Sequence, residues 1–153
     1  MAKIEDQDFK VEMQIKAIEL LNGSLNLPAN ANTPATNFNF NIGIESRADA
    51  VNKLVFVIVH VEIKNDDHSV VLGALSLSCI FEIANFEDLI KIEADGKVKI
   101  PPRLIETLNI VSISTTRGVL FSTFKGTFLH GAVLPIIDPK QFQGGSQKVE
   151  KLP

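Results

Sequence analysis

Apolar and polar residues alternate along much of the first half of the chain, and this pattern predicts four β-strands. Residues 9–17 alternate strictly, after which the phase slips, and a β-bulge near residues 17–18 explains the slip. Residues 37–45 alternate again, 54–63 are almost continuously apolar, and 70–83 carry large residues on one face and small ones on the other. The continuous apolar run is typical of a central strand that is covered on both faces.

The residues after the fourth strand predict a long helix. Pro101 and Pro102 favour a helix start, because proline has the backbone angle of a first helical turn. An apolar stripe at helical spacing then extends over roughly 102–125. The stretch 110–116 is β-branched and rich in hydroxyls, which resists helix, so we expect either one helix or two pieces. Gly126 is placed to end it.

The segment 84–100 lies between the fourth strand and this helix. Asn85 is expected to cap a short helical turn over 86–90. The Asp95-Gly96 pair, flanked by apolar residues on both sides, predicts a small exposed hairpin. The pattern gives no function for this segment.

Composition narrows the class of protein. Apolar residues make up 45% and charged residues 22%, with a mean hydropathy of +0.17, so we expect a folded chain that offers apolar surface to a partner or a second copy. The formal charge of −3 argues against a nucleic-acid binder, which needs a concentrated positive field. No apolar run approaches the ~20 residues of a membrane span, and no signal peptide is visible, so we expect a cytoplasmic protein without membrane insertion.

The residues that usually carry chemistry form no catalytic or metal-binding pattern. Cys79 is the single cysteine, which excludes an internal disulfide and a thiolate-only metal site. His60, His68 and His130 have no metal-ligand spacing beside Cys or Glu. The hydroxyl cluster within 112–116 lacks a G-x-S-x-G turn. We therefore expect no enzyme, no metal and no cofactor.

The strongest functional feature is an apolar run with few charges in the last third of the chain. One interpretation is ordinary packing of helix on sheet. The other is that part of the run lines an apolar groove whose second wall is the loop 25–35. The candidate groove residues are Leu25, Leu27, Pro28, Phe121, Phe124, Phe128, Leu129, Val133 and Leu134.

The same part of the chain resembles the SecB family, the bacterial export chaperones. In that family an Arg-containing helix runs into Gly-Thr-Phe, and a proline follows nine residues after the glycine. Here Arg117 precedes Gly-Thr-Phe at 126–128, and Pro135 has that spacing. Residues 27–31 (LPANA) resemble the family's crossover loop. The resemblance covers residues 9–142.

The resemblance implies an α+β fold in which a four-stranded antiparallel sheet has a long helix packed on one face. We expect residues 1–142 to form this single domain and 143–153 to be a disordered tail. The implied function is that of an ATP-independent molecular chaperone for protein export, which binds unfolded polypeptides in an apolar groove. The implied assembly is a homotetramer, a dimer of dimers.

The chain departs from the family at the positions that dock the translocation motor SecA. Family members carry acidic residues near the end of strand 1 and on strand 4, where this chain has Asn22, Asn26 and Ala74. The resemblance therefore supports the client-binding fold more strongly than it supports a role in export. Two alternatives stay open: a SecB-like chaperone dedicated to one client, such as an antitoxin, and a module that binds a small molecule or a lipid.

Overall fold

The computed structural model, which describes residues 2–6, 9–27, 37–138 and 148–151, confirms the α+β fold. The four predicted strands are present, and the long helix is continuous. The elements are β1 (Ala2–Asp6), β2 (Phe9–Leu25), β3 (Asn39–Asp49), β4 (Leu54–Lys64), β5 (Val71–Ile83), α1 (Phe86–Leu89), β6 (Lys91–Ile92), β7 (Val98–Lys99), α2 (Pro102–Thr123) and β8 (Lys148–Lys151).

The main sheet has the strand order β1-β2-β5-β4-β3-β8. Its four long strands pair antiparallel throughout, with β5 and β4 in the middle and β2 and β3 outside them. The short β1 extends the β2 side along residues 9–13 only. The backbone of β8 lies parallel to β3, within the tail for which the sequence predicts disorder. An outer strand such as β3 offers backbone N–H and C=O groups to any extended segment that reaches it.

Helix α2 packs against one face of the sheet, which we call the core face. Val55, Val57 and Val59 of β4 are fully buried there. Thr115 and Thr116 lie in the stretch that resists helix, and each donates its hydroxyl to the carbonyl oxygen four residues earlier, at 2.8 and 2.7 Å. These bonds satisfy the hydroxyls within the helix, and the buried face of α2 supplies the packing that outweighs the weak local propensity.

The prediction that β4 is covered on both faces is wrong for the second face, which we call the open face. There Phe56 and His60 are half-buried and Glu62 is exposed. Ile58, which lies between Phe56 and His60 on this face, is buried. The run is continuously apolar because several open-face positions are also apolar, although only the core face is covered.

Strand β2 contains two irregularities in its pairing with β5. One lies between Ile15 and Ala17, just before the bulge predicted near residues 17–18, and the other lies between Leu20 and Asn22. The strand runs through Asn22 and Gly23 without reversing, so the dipeptide does not form a hairpin. Each extra residue restores the apolar side chains to the core face after the phase slips.

The segment 84–100 contains α1 and the predicted hairpin, formed by β6 and β7 with Gly96 at a φ of +84°. The predicted helix cap is wrong, because the Asn85 side chain makes no cap bond. Instead its Oδ1 accepts from the N–H of Glu12 at 3.1 Å, and its Nδ2 donates to the carbonyl of Lys10 at 2.7 Å. Asn85 therefore fixes the insertion to the backbone of β2.

Gly73 allows the turn after α2 to pack closely on β5. A Cβ atom at this position would lie 2.6 Å from Leu129 Cδ1 and 3.3 Å from both Phe124 Cζ and the Ser24 carbonyl oxygen. We expect Gly73→Ala to lower the free energy of unfolding by about 1–3 kcal/mol through overpacking. Chemical denaturation followed by far-UV circular dichroism measures this change. Gly23→Ala is the matched control, since a Cβ there meets nothing within 4 Å.

Cys79 lies on the core face and is fully buried. Burial raises the pKa of its thiol, and the hydroxyls of Ser112 and Thr115 offset only part of that rise. The thiolate, which is the reactive form, is therefore disfavoured at neutral pH. We expect iodoacetamide to alkylate Cys79 only after unfolding, as mass spectrometry of the intact protein would show. Rapid labelling of the folded protein would contradict this burial.

Candidate binding groove

A row of apolar side chains on the core face of β2 is left uncovered by helix α2. We call Ile15, Ile18, Leu20 and Leu25 the β2 strip; their exposed fractions are 46%, 47%, 52% and 41%. Their register places them on the core face, since Ile18 lies opposite Cys79 and Leu20 opposite Leu77. An exposed apolar row of this length on one strand is typical of a surface that meets another chain.

The strip is uncovered because α2 lies over the middle of the sheet. Its contacts are with β4 and β5, and β2 lies beyond them on one side. The first part of the strand is closed, since Val11 and Met13 are buried. The exposed surface therefore begins at Ile15 and continues to the end of the strand.

A groove of about 290 Å³ lies where the end of β2 approaches the end of α2. Its lining includes two leucines and one phenylalanine, and the other positions are small, so the groove is apolar and shallow. None of the described residues that line it is charged. The lining residues are Leu20, Gly23, Ser24, Leu25, Thr123, Phe124 and Thr127.

The wall formed by α2 depends on the turn that follows the helix. Gly126 has a φ of +80°, a left-handed conformation that glycine adopts without strain. The hydroxyl of Thr127 donates to the carbonyl of Phe124 at 2.7 Å and accepts from the N–H of Leu129 at 3.1 Å. The Gly-Thr-Phe sequence thus fixes a tight turn, which buries Phe124 and Leu129 and exposes Phe128.

Arg117 fixes the segment that returns along α2. Its Nε donates to the carbonyl of Leu134 and its Nη2 to the carbonyl of Pro135, both at 2.8 Å. The planar guanidinium suits two parallel bonds of this kind. The spacing of arginine, Gly-Thr-Phe and proline therefore has a structural cause: a helix, a tight turn and a fixed return segment.

The structure places the candidate residues named from sequence in different environments. Leu25 and Phe124 line the groove, and Leu27, with 83% of its side chain exposed, follows it. Phe121, Phe128 and Val133 are exposed nearby in the chain, whereas Leu129 and Leu134 are buried in the core. Pro28 lies outside the described residues. Sequence reasoning missed Ile15, Ile18 and Leu20 as site residues, since only the bulge between Ile15 and Ala17 brings the three to one face.

Charged side chains near Ile15, the first residue of the β2 strip, pair with one another on the open face. Gln14 Nε2 donates to Glu82 Oε2 at 2.7 Å, and Lys16 Nζ lies 3.4 Å from the same oxygen. The hydrogen bond from Gln14, together with the charge of Lys16, lowers the pKa of Glu82. This carboxylate therefore stays ionised at neutral pH, on the face of the sheet opposite the β2 strip.

A second polar cluster lies on the open face, far from any sequence motif. His60 Nδ1 is 2.7 Å from Ser76 Oγ, and His60 Nε2 is 3.3 Å from Glu45 Oε1. The order serine–histidine–carboxylate occurs in hydrolases, which also need donors for an oxyanion. Here Ser76 lies in the middle of β5. The backbone N–H groups around it are used in the pairing of β5 with β2 and β4. The cluster therefore links β3, β4 and β5 through their side chains.

Two further observations concern the residues that the structure describes. Nowhere in that part of the chain do three or more His, Cys, Asp or Glu side chains come together in a way that could hold a metal ion. None of its helices is long and apolar enough to cross a membrane.

Comparison with known proteins identifies the fold. No family model and no curated protein matches the chain. Among solved structures, the chain is similar to a SecB-like chaperone from Mycobacterium tuberculosis, in complex with a ChAD peptide from the HigA1 antitoxin. The two are 14% identical and superpose with a TM-score of 0.53, over 82% of this chain and 90% of that one. At this identity the likeness shows the fold: a four-stranded antiparallel sheet with a long helix on one face.

Proposed function

We propose that this protein is an ATP-independent chaperone of the SecB type, which binds unfolded polypeptides along the β2 strip and the adjoining groove. The observation that carries the proposal is the uncovered apolar core face of β2, from Ile15 to Leu25. Apolar burial is non-directional, so a shallow surface of this kind binds many sequences that expose apolar side chains. A folded protein buries those side chains and has little to offer the strip.

The exposed side chain of Phe128, after α2, supports a wider contact area. Phe128 is 37% exposed and follows directly from the turn that carries the groove wall. Leu27 extends the surface beyond the end of β2. An unfolded segment that crosses the groove would find apolar side chains along β2 on one side and at the end of α2 on the other.

A chaperone dedicated to one client is the second candidate. The solved SecB-like chaperone holds a peptide from an antitoxin, and this chain shares its fold. The lack of carboxylates at the SecA positions favours the same candidate. Asn22 is exposed without a charge, and Asn26 uses its side chain to donate to the carbonyl of Val71, which closes the end of the β2–β5 pair. The proposed function therefore does not include docking to SecA.

The proposed assembly is a homotetramer, as the resemblance to SecB implies. The outer face of α2 supports further association. Ile110, Ser114, Gly118 and Phe121 recur there at helical spacing, are exposed and carry no charge. A second copy would remove the two large apolar side chains of this row from water.

Suppression of aggregation tests the proposed function. A chemically denatured protein is diluted into buffer with and without this protein, in the absence of nucleotide, and light scattering is followed. We expect near-stoichiometric amounts to reduce scattering, and added ATP to change nothing. A general chaperone protects several unrelated proteins, whereas a dedicated one protects only its own client. No protection of any unfolded protein would contradict the proposal.

A further inference from the structure

The charges around the groove are unlike those of the rest of the chain. The protein has a net charge of −3, yet residues 107–137 contain Arg117 and Lys125 and no carboxylate. Residues 20–44, which include the other wall of the groove, contain no Asp, Glu, Lys or Arg. Both walls therefore come from stretches that lack negative charge, and one of them carries two cations.

Lys125 is the cation closest to the groove in the chain. It is exposed, and it follows Phe124 and precedes Thr127, which both line the groove. No carboxylate of the described residues pairs with it, whereas Lys16 and Lys99 have such partners. Arg117 donates to two backbone carbonyls, which carry no net charge.

The carboxylates on β2 near the groove in the chain, and in the turn between β4 and β5, are directed elsewhere. Glu19 belongs to β2 but lies opposite Ser78, on the open face. In the turn between β4 and β5, Asp66 accepts from the N–H of Asn37, and Asp67 accepts from Ser69. Among the described residues, Lys125 is therefore a charge beside the groove that no carboxylate pairs with, and its field favours acidic groups.

We propose that the groove selects unfolded segments in which acidic residues flank an apolar core, and that Lys125 is the residue that determines this preference. The inference rests on the proposed function and names its client class. The apolar core of the segment binds the β2 strip, and the flanking carboxylates lie at the rim, where opposite charges attract. Rim charges of this kind set specificity and rate of encounter more than they set total affinity.

Three fluorescently labelled peptides with one apolar core test the proposal: one with Glu flanks, one with Ser flanks and one with Lys flanks. Affinities come from fluorescence anisotropy at low and at high salt. We expect the Glu peptide to bind about three- to tenfold more tightly than the Lys peptide at low salt. The difference should shrink at high ionic strength, because exposed charges are screened.

Charge reversal at Lys125 assigns the effect to this residue. Lys125→Glu is expected to abolish or invert the preference, while the Ser peptide binds as before. Lys97→Glu changes the net charge equally at the hairpin tip and should keep the preference. Equal binding of the Glu and Lys peptides, or an unchanged preference in Lys125→Glu, overturns this inference but not the proposed function. Failure of all three peptides, the neutral one included, overturns the proposed function and the inference with it.

Discussion

Replacing Phe124 with alanine is expected to lower the free energy of unfolding by about 3–5 kcal/mol. Its side chain is only 3% exposed and packs over Gly73 beside Leu129, so truncation leaves a cavity in the core. Phe124 also forms part of the groove wall, so one residue serves both the core and the proposed site. Denaturation in urea, followed by far-UV circular dichroism, measures the loss in a protein without Trp or Tyr.

Phe128→Ala is the matched comparison, because the same residue type lies four positions later with 37% of its side chain exposed. We expect it to cost less than about 1 kcal/mol of stability and to weaken the binding of unfolded polypeptide. Equal losses of stability in the two variants would contradict the placement of Phe124 inside the core and Phe128 outside it.

Leu20→Glu is expected to weaken the binding of unfolded polypeptide at least about tenfold, or about 1.4 kcal/mol. Leu20 lines the groove and belongs to the β2 strip, so a client would bury the new carboxylate against apolar side chains. A buried charge without a partner carries a large desolvation cost. Stability should change by no more than about 0.5 kcal/mol, because this side chain is half exposed in the free protein.

Asn22→Glu provides the control for this variant. Asn22 lies two residues further along the same strand, is exposed, and pairs with Ser76 on the open face. It introduces the same charge on the other side of the sheet, so client affinity should stay within about twofold of the parent protein. If both variants lose affinity equally, the client does not bind the core face of β2.

Local patterns were enough to predict the four long strands, the long helix and the small hairpin, but they did not predict β1 or β8. The alternation in residues 9–17 and its phase slip predict β2 and its first bulge, and Pro102 marks the first residue of α2. The Asn85 side chain shows that local patterns do not predict contacts between distant parts of the chain. A short helix after an asparagine predicts a cap, but the side chain bonds to β2, from which more than seventy residues separate it.

The groove was predicted in part, for a physical reason. The apolar positions after α2 can be read from sequence, but which of them face the sheet depends on the turn at Gly126 and Thr127. That turn buries Leu129 and leaves Phe128 outside. The exposure of the β2 strip depends on how far α2 reaches across the sheet, which is a tertiary property that the alternation within β2 does not contain.

Native mass spectrometry with one polypeptide in two states tests the central claim most directly. The polypeptide is offered permanently unfolded, after reduction and alkylation, and in parallel in its folded form. Our account predicts a homotetramer that takes up the unfolded form and leaves the folded form unbound. A protein that binds neither form, or both alike, would contradict the chaperone function and leave the likeness to SecB-like chaperones as one of fold alone.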